Sequence, residues 1–157
     1  MIKRIGMTVI AVLAFSMAAQ AADMDSGTWV LNVAKSTSST GLPRSGKQVI
    51  SMDGGWRIVK NTGVDKDGNA TTSSLISKSD GVARPGIGNG PDAFGTLTTT
   101  TRSDDFHRKS VGIAITGKAR LTQVSVISPD GKVKTRTTTG VDKDGKAFND
   151  VAVFDKQ

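Results

Sequence analysis

The chain of 157 residues contains no cysteine, no tyrosine and no glutamate, and a single histidine. Without cysteine there is no disulfide framework, no thiol nucleophile and no thiolate metal site, so stability has to come from packing. All 14 acidic residues are aspartates, a residue type that favours turns because its carboxylate accepts hydrogen bonds from nearby backbone N–H groups. Beyond residue 21 the aromatics are only Trp29, Trp56, Phe94, Phe106, Phe148 and Phe154. So few large side chains make a densely filled interior hard to build, which argues for a cavity. Runs of basic residues are also missing: lysines and arginines are scattered singly, leaving no footprint for nucleic acid.

One long apolar run exists, at the start. Lys3 and Arg4 precede an apolar stretch over 5–19, and Ala19-Gln20-Ala21 offers small residues at the spacing of a cleavage site. This pattern predicts a signal peptide over 1–21 and a periplasmic or secreted protein. The remaining 22–157 suits one domain. It holds 19 basic against 14 acidic residues, a formal charge of +5, compatible with weak attraction to an anionic envelope surface.

Segments 48–70 and 125–147 align at a constant offset of 77 with 13 of 23 residues identical. Both copies read V-I-S-x-D-G and then T-G-V-D-K-D-G-x-A. Asp-Gly pairs between β-branched runs are strong hairpin signals, so each copy predicts strand, turn, strand, turn and the start of a third strand. Over the whole chain, strands are expected at 27–33, 48–52, 56–63, 70–78, 94–101, 106–115, 118–128, 133–140 and 147–154. Helical periodicity is absent after the leader. The expected fold is all-β: an antiparallel up-and-down meander closing into a lipocalin-like β-barrel of about eight to nine strands, since closure removes exposed edges, with an open sandwich as the alternative.

Alternation along the strands predicts the interior. Trp29, Leu31 and Val33 share one face, as do Trp56 and Ile58. In 106–115 the odd positions His107, Lys109, Val111, Ile113 and Ile115 share another, expected to point inward over its second half. Trp56 and Val133 are equivalent in the two copies, each following an Asp-Gly turn, and so are expected on the same inward face. The interior set is therefore Trp56, Ile58, His107, Val111, Ile113 and Val133, with Phe94 near the mouth beneath a Gly/Pro-rich loop over 81–91. These seven are the expected ligand-binding residues.

Gly27-Thr28-Trp29 is a G-x-W sequence of the kind that opens lipocalin barrels. With the following V-L-N-V-A-K-S, the two G-V-D-K-D-G turns and the ending N-D-V-A-V-F-D-K-Q, the chain resembles small exported bacterial lipocalin-like proteins without assigned function. The resemblance implies a barrel and a small-ligand role. It also implies that Trp29 plugs one end under an arginine from the last strands, with Arg136 or Arg120 as candidates. The second lipocalin signature, T-D-Y, has no counterpart.

Other chemistry is disfavoured. The two D-K-D-G turns suggest calcium ligands, but counting from Asp65 or Asp142 puts glycine at the fourth position and Ile76 or Val153 at the twelfth, where an EF-hand loop needs a sixth-position glycine and a twelfth-position acid. Gly86-Ile87-Gly88-Asn89-Gly90 imitates a phosphate loop without the Lys-Ser/Thr pair or helix that would complete one. His107 follows Asp104-Asp105-Phe106, and a strand-end histidine beside a turn is the plainer account than general acid/base work. No catalytic residue, metal site or cofactor is expected. The spanning strands of an outer-membrane barrel need an unbroken lipid-facing apolar alternation, which Lys, Arg, Asp and Thr interrupt here. The expected function is a non-enzymatic one, binding of a small, partly apolar ligand inside the barrel. The alternative is an envelope structural or interaction protein contacting polysaccharide, peptidoglycan or lipid.

Overall fold

The computed structural model describes residues 23–89, 96–114, 117–142 and 144–157. The expected signal peptide over 1–21 and Phe94 lie outside them. The described residues form one antiparallel sheet of twelve strands. In chain order these are β1 (Gly27–Leu31), β2 (Thr37–Ser38), β3 (Ser45–Asp53), β4 (Trp56–Val64), β5 (Ala70–Lys78), β6 (Arg84–Pro85), β7 (Ile87–Asn89), β8 (Thr96–Arg102), β9 (His107–Ala114), β10 (Arg120–Ile127), β11 (Val133–Val141) and β12 (Ala147–Lys156). A 3-10 turn, Val33–Lys35, follows β1. Each of the nine expected strands is present. The surplus consists of three short ones, β2, β6 and β7, in segments that composition marks as loops. Among the described residues no helix is long and apolar enough to cross a membrane.

The two repeat copies build equivalent meanders, β3–β4–β5 and β10–β11–β12, and β1 joins them by pairing with both β12 and β3. Their turns use the same chemistry. Asp65 Oδ1 accepts from the N–H groups of Asp67 and Asn69 at 2.9 and 2.8 Å, and Asp142 Oδ1 accepts from those of Asp144 and Lys146 at 2.9 Å each. Between β3 and β4, Gly54 and Gly55 both take positive φ, 53° and 80°. That is the two-residue turn whose twist matches the flanking strands and which side-chain-bearing residues resist.

The hydrogen-bonded path runs from β6 through β8–β12, β1 and β3–β5 to β7. It curls strongly, for one cavity is lined by residues of β3–β5 and of β8–β11 together. Residues 84–89 span its two edges: Arg84 pairs with Thr98 on β8, and Ile87 pairs with Ile76 on β5. The segment expected as a loop over the mouth is therefore a strap laid on both edges. It is held further by Gly81 N–H to Thr100 O and Gly86 N–H to Thr96 O, each 2.9 Å.

At one end of the sheet lies a small apolar core of Trp29, Leu31, Ile50, Val59, Ile127 and Phe154. Trp29 is fully buried, and its indole N–H donates to the backbone oxygen of Asp25 at 2.8 Å. Ile50 and Ile127 occupy equivalent repeat positions, and both are buried. The shared inward face of Trp29 and Leu31 agrees with the alternation expected for β1.

That core fixes the parity of its neighbours and inverts the one expected for β4, β9 and β11. Ile50 pairs with Val59, so Val59 faces inward, and Arg57 and Asn61 accompany it; Ile58 belongs to the outer face. On β9 the even positions Arg108, Ser110 and Gly112 line the cavity. Ile113 is 46% exposed, and Val111 shares its outward face. On β11 Lys134 is 1% exposed and lines the cavity with Arg136, which sends Val133 outward. The inversion has a physical cause: charged side chains were assigned to solvent, whereas here a buried carboxylate draws them in.

Candidate functional site

The cavity has a volume of about 180 Å³. Its mouth and walls carry Trp56, Leu75, Ile76, Val82, Pro85 and Ile87, contributed by β4, β5 and the strap. Arg84 stacks over the Trp56 ring at 5.5 Å and makes two bonds to the Asp80 carboxylate, at 2.6 and 2.7 Å, fixing the strap against the wall. Other parts of the lining are polar. Thr100 and Ser110 share a hydroxyl hydrogen bond of 3.0 Å across β8 and β9, and Asn61 donates to Ser73 Oγ at 3.0 Å across β4 and β5. The threonines of β8 thus serve as strand formers whose inward members, Thr96, Thr98 and Thr100, supply a hydroxylated surface.

Four cations, Arg57, Arg108, Lys134 and Arg136, line the inner end. Behind them, from the turn that precedes β1, comes Asp25. Its Oδ2 lies 2.6 Å from Arg57 Nε and 3.1 Å from Arg108 Nη1, and its Oδ1 lies 3.3 Å from Lys134 Nζ. Lys134 also donates to Gln48 Oε1 at 3.0 Å. Arg57 and Lys134 are equivalent residues of the two repeat copies, so the internal duplication places one cation on each oxygen of the same carboxylate.

Burial by itself would raise the Asp25 carboxyl, but Arg57, Lys134 and Arg108 together outweigh it and hold the group at about 2. Lys134 moves the other way. Burial drives its ammonium down to about 7, with Asp25 resisting the fall and Arg57 adding to it. Burial also depresses Arg108, to about 10.

The arginine expected over Trp29, Arg136 or Arg120, is not what covers it: Lys134 Nζ lies 4.5 Å and Lys156 Nζ 5.0 Å from its ring. Arg136 stacks instead on Phe154, at 5.2 Å. Lys156 is anchored by donation to Met24 O at 2.9 Å.

Of the six expected ligand residues that lie among the described ones, Trp56 alone lines the cavity. Ile58, Val111, Ile113 and Val133 lie on the outer face, and Phe94 is outside the described residues. His107 stands at the start of β9 with its side chain 52% exposed, its Nδ1 2.8 Å from Asp104 Oδ1. The same Asp104 oxygen accepts from the backbone N–H groups of Phe106 and His107 at 2.8 Å each. The His107 side chain therefore ties the first residue of β9 to the turn before it. The residues missed were Asp25, Arg57, Arg108 and Lys134, while Arg136, expected over Trp29, lines the cavity instead. The available signal was the repeat, which sets basic residues 57 and 134 at one equivalent position.

No protein-family model matches the chain, and no curated protein matches it either.

Proposed function

We propose that this chain is an exported, lipocalin-like binding protein that closes its meander into a barrel and holds a small, partly apolar ligand inside. The observation that carries this reading is the cavity between the two halves of the sheet, with an aliphatic mouth and a polar inner end. Its size suits a small molecule: a protein cavity of roughly 150 Å³ holds benzene. The lining also divides the labour of a ligand site, with apolar walls for burial and a few convergent polar groups for orientation. No arrangement of nucleophile and base is needed for this role, so the function is binding without catalysis.

The competing role, contact with envelope polymer or lipid through threonine-rich faces and positive charge, draws less support. Several of those threonines and four of the cations face the cavity, where an extended partner has no access to them.

Native mass spectrometry of protein purified without unfolding tests the binding role. A co-purified small molecule, or uptake of one from an envelope extract, is the expected result. Protein that emerges empty and takes up nothing contradicts it.

A further inference from the structure

Among the described residues, Arg57, Arg108 and Lys134 line the inner end of the cavity on the side a ligand would reach, while Asp25, the one carboxylate all three share, stands behind and does not line it. Three cations sharing one carboxylate leave mutual repulsion uncompensated in a place where water screens it poorly. Arg108 is the focus. Its side chain is 10% exposed, its Nη1 reaches Asp25, and its buried Nε makes no hydrogen bond. A buried guanidinium edge without a partner is costly unless something accepts from it. Around this edge Ser110 and Ser125 add hydroxyl groups to the lining, and Val59, Leu75 and Leu121 supply apolar wall.

Resting on the binding role proposed above, we infer that the inner end of the cavity is an oxyanion subsite. Arg108, backed by Arg57 and Lys134, receives the carboxylate or phosphate head of an amphipathic ligand whose apolar part lies along Val59, Leu75 and Leu121. A guanidinium presents a planar fork of donors that matches such a head group, and its bonds to an oxyanion are stronger than neutral ones. The positive inner end also selects against cationic ligands of the same shape, because like charge in a dry cavity repels. Burial holds the Lys134 ammonium at about 7, and an arriving anion would favour its charged form, so head group and lysine would strengthen each other.

Calorimetric titration of the natively purified protein with octanoate, octyl phosphate, octanol and octyltrimethylammonium separates the possibilities. The subsite predicts that at least one of the two anions binds ten-fold or more tightly than octanol, and that the ammonium binds more weakly than octanol. The tighter anion identifies the head group. Arg108→Gln should bring anion affinity down towards that of octanol while octanol affinity stays within two-fold, which also shows that the variant keeps the cavity. Octanol binding as tightly as both anions would overturn the subsite and leave the binding role standing. Full anion affinity in the variant would do the same. Failure of every probe to bind would count against both.

Discussion

The meanders β3–β5 and β10–β12 begin from nearly the same sequence and agree in the turns and the core. Asp65 and Asp142 tie equivalent turns, and Ile50 and Ile127 are both buried. They part company on the inward positions of their middle strands. β4 presents Arg57, Val59 and Asn61, whereas β11 presents Lys134, Arg136 and Thr138 at the equivalent places. Arg57 and Lys134 keep the same partner, Asp25, but Val59 joins the apolar core where Arg136 stacks on Phe154 and lines the cavity. The shared residues therefore build the scaffold, and the divergent ones give the cavity its charged side and its apolar side.

The strongest way to break the comparison is to remove what both copies hold in common. Asp25→Ala leaves Arg57, Arg108 and Lys134 without their buried counter-charge, and breaking such a cluster from one side costs about 3–5 kcal/mol. Urea denaturation should show the loss as a large fall in the midpoint; an unchanged midpoint would mean that Asp25 is not the hub of the two halves.

A smaller effect sharpens the equivalence itself. A Cβ on Gly63 would lie 2.4 Å from Ser45 O, and one on Gly140 would lie 2.3 Å from Arg120 O, so both positions admit glycine alone without movement of backbone. Gly63→Ala and Gly140→Ala are each expected to destabilise by about 1–3 kcal/mol. Thermal denaturation of the pair checks this, and a silent substitution in one copy would show that the strand approach is not shared. Smaller again, Asp65→Ala and Asp142→Ala remove paired acceptors in exposed turns and should each lower the thermal midpoint by a small and similar amount. A clear loss in one variant and none in the other would break the symmetry of the turns.

Much of the scaffold was legible in the sequence because its signals are local. Turn residues and β-branched runs placed all nine long strands, and the 77-residue offset identified the paired meanders. The parity of β4, β9 and β11 was not legible because it depends on one distant residue. Asp25 sits in a short turn before β1 with no periodic pattern around it, yet its carboxylate reverses the usual assignment of Arg57, Arg108 and Lys134 to solvent. Hydrophobic alternation favoured Trp56 with Ile58 and Val111 with Ile113, and in an interior that is largely polar the apolar residue is a poor guide to the inside. The strap was hidden for a different reason: Arg84-Pro85 and Ile87-Gly88-Asn89 are too short and too rich in glycine and proline to read as strands, and they pair only because two sheet edges lie on either side of them.

The central claim is that the two halves turn cations inward onto Asp25, and Lys134 reports on it most directly. Its folded-state value of about 7 lies below the ordinary 10.5, so the unfolded chain binds the extra proton between those values. The stability owed to this lysine is complete above about 10.5 and is lost as the pH falls towards 7. Titration of the lysine side-chain ¹³Cε resonances by NMR, with Lys134→Arg used for assignment, measures the group itself in the folded protein. The structure predicts a Lys134 midpoint near 7, and a Lys134 midpoint near 10.5 would contradict the inward face on which the cavity and its proposed ligand rest.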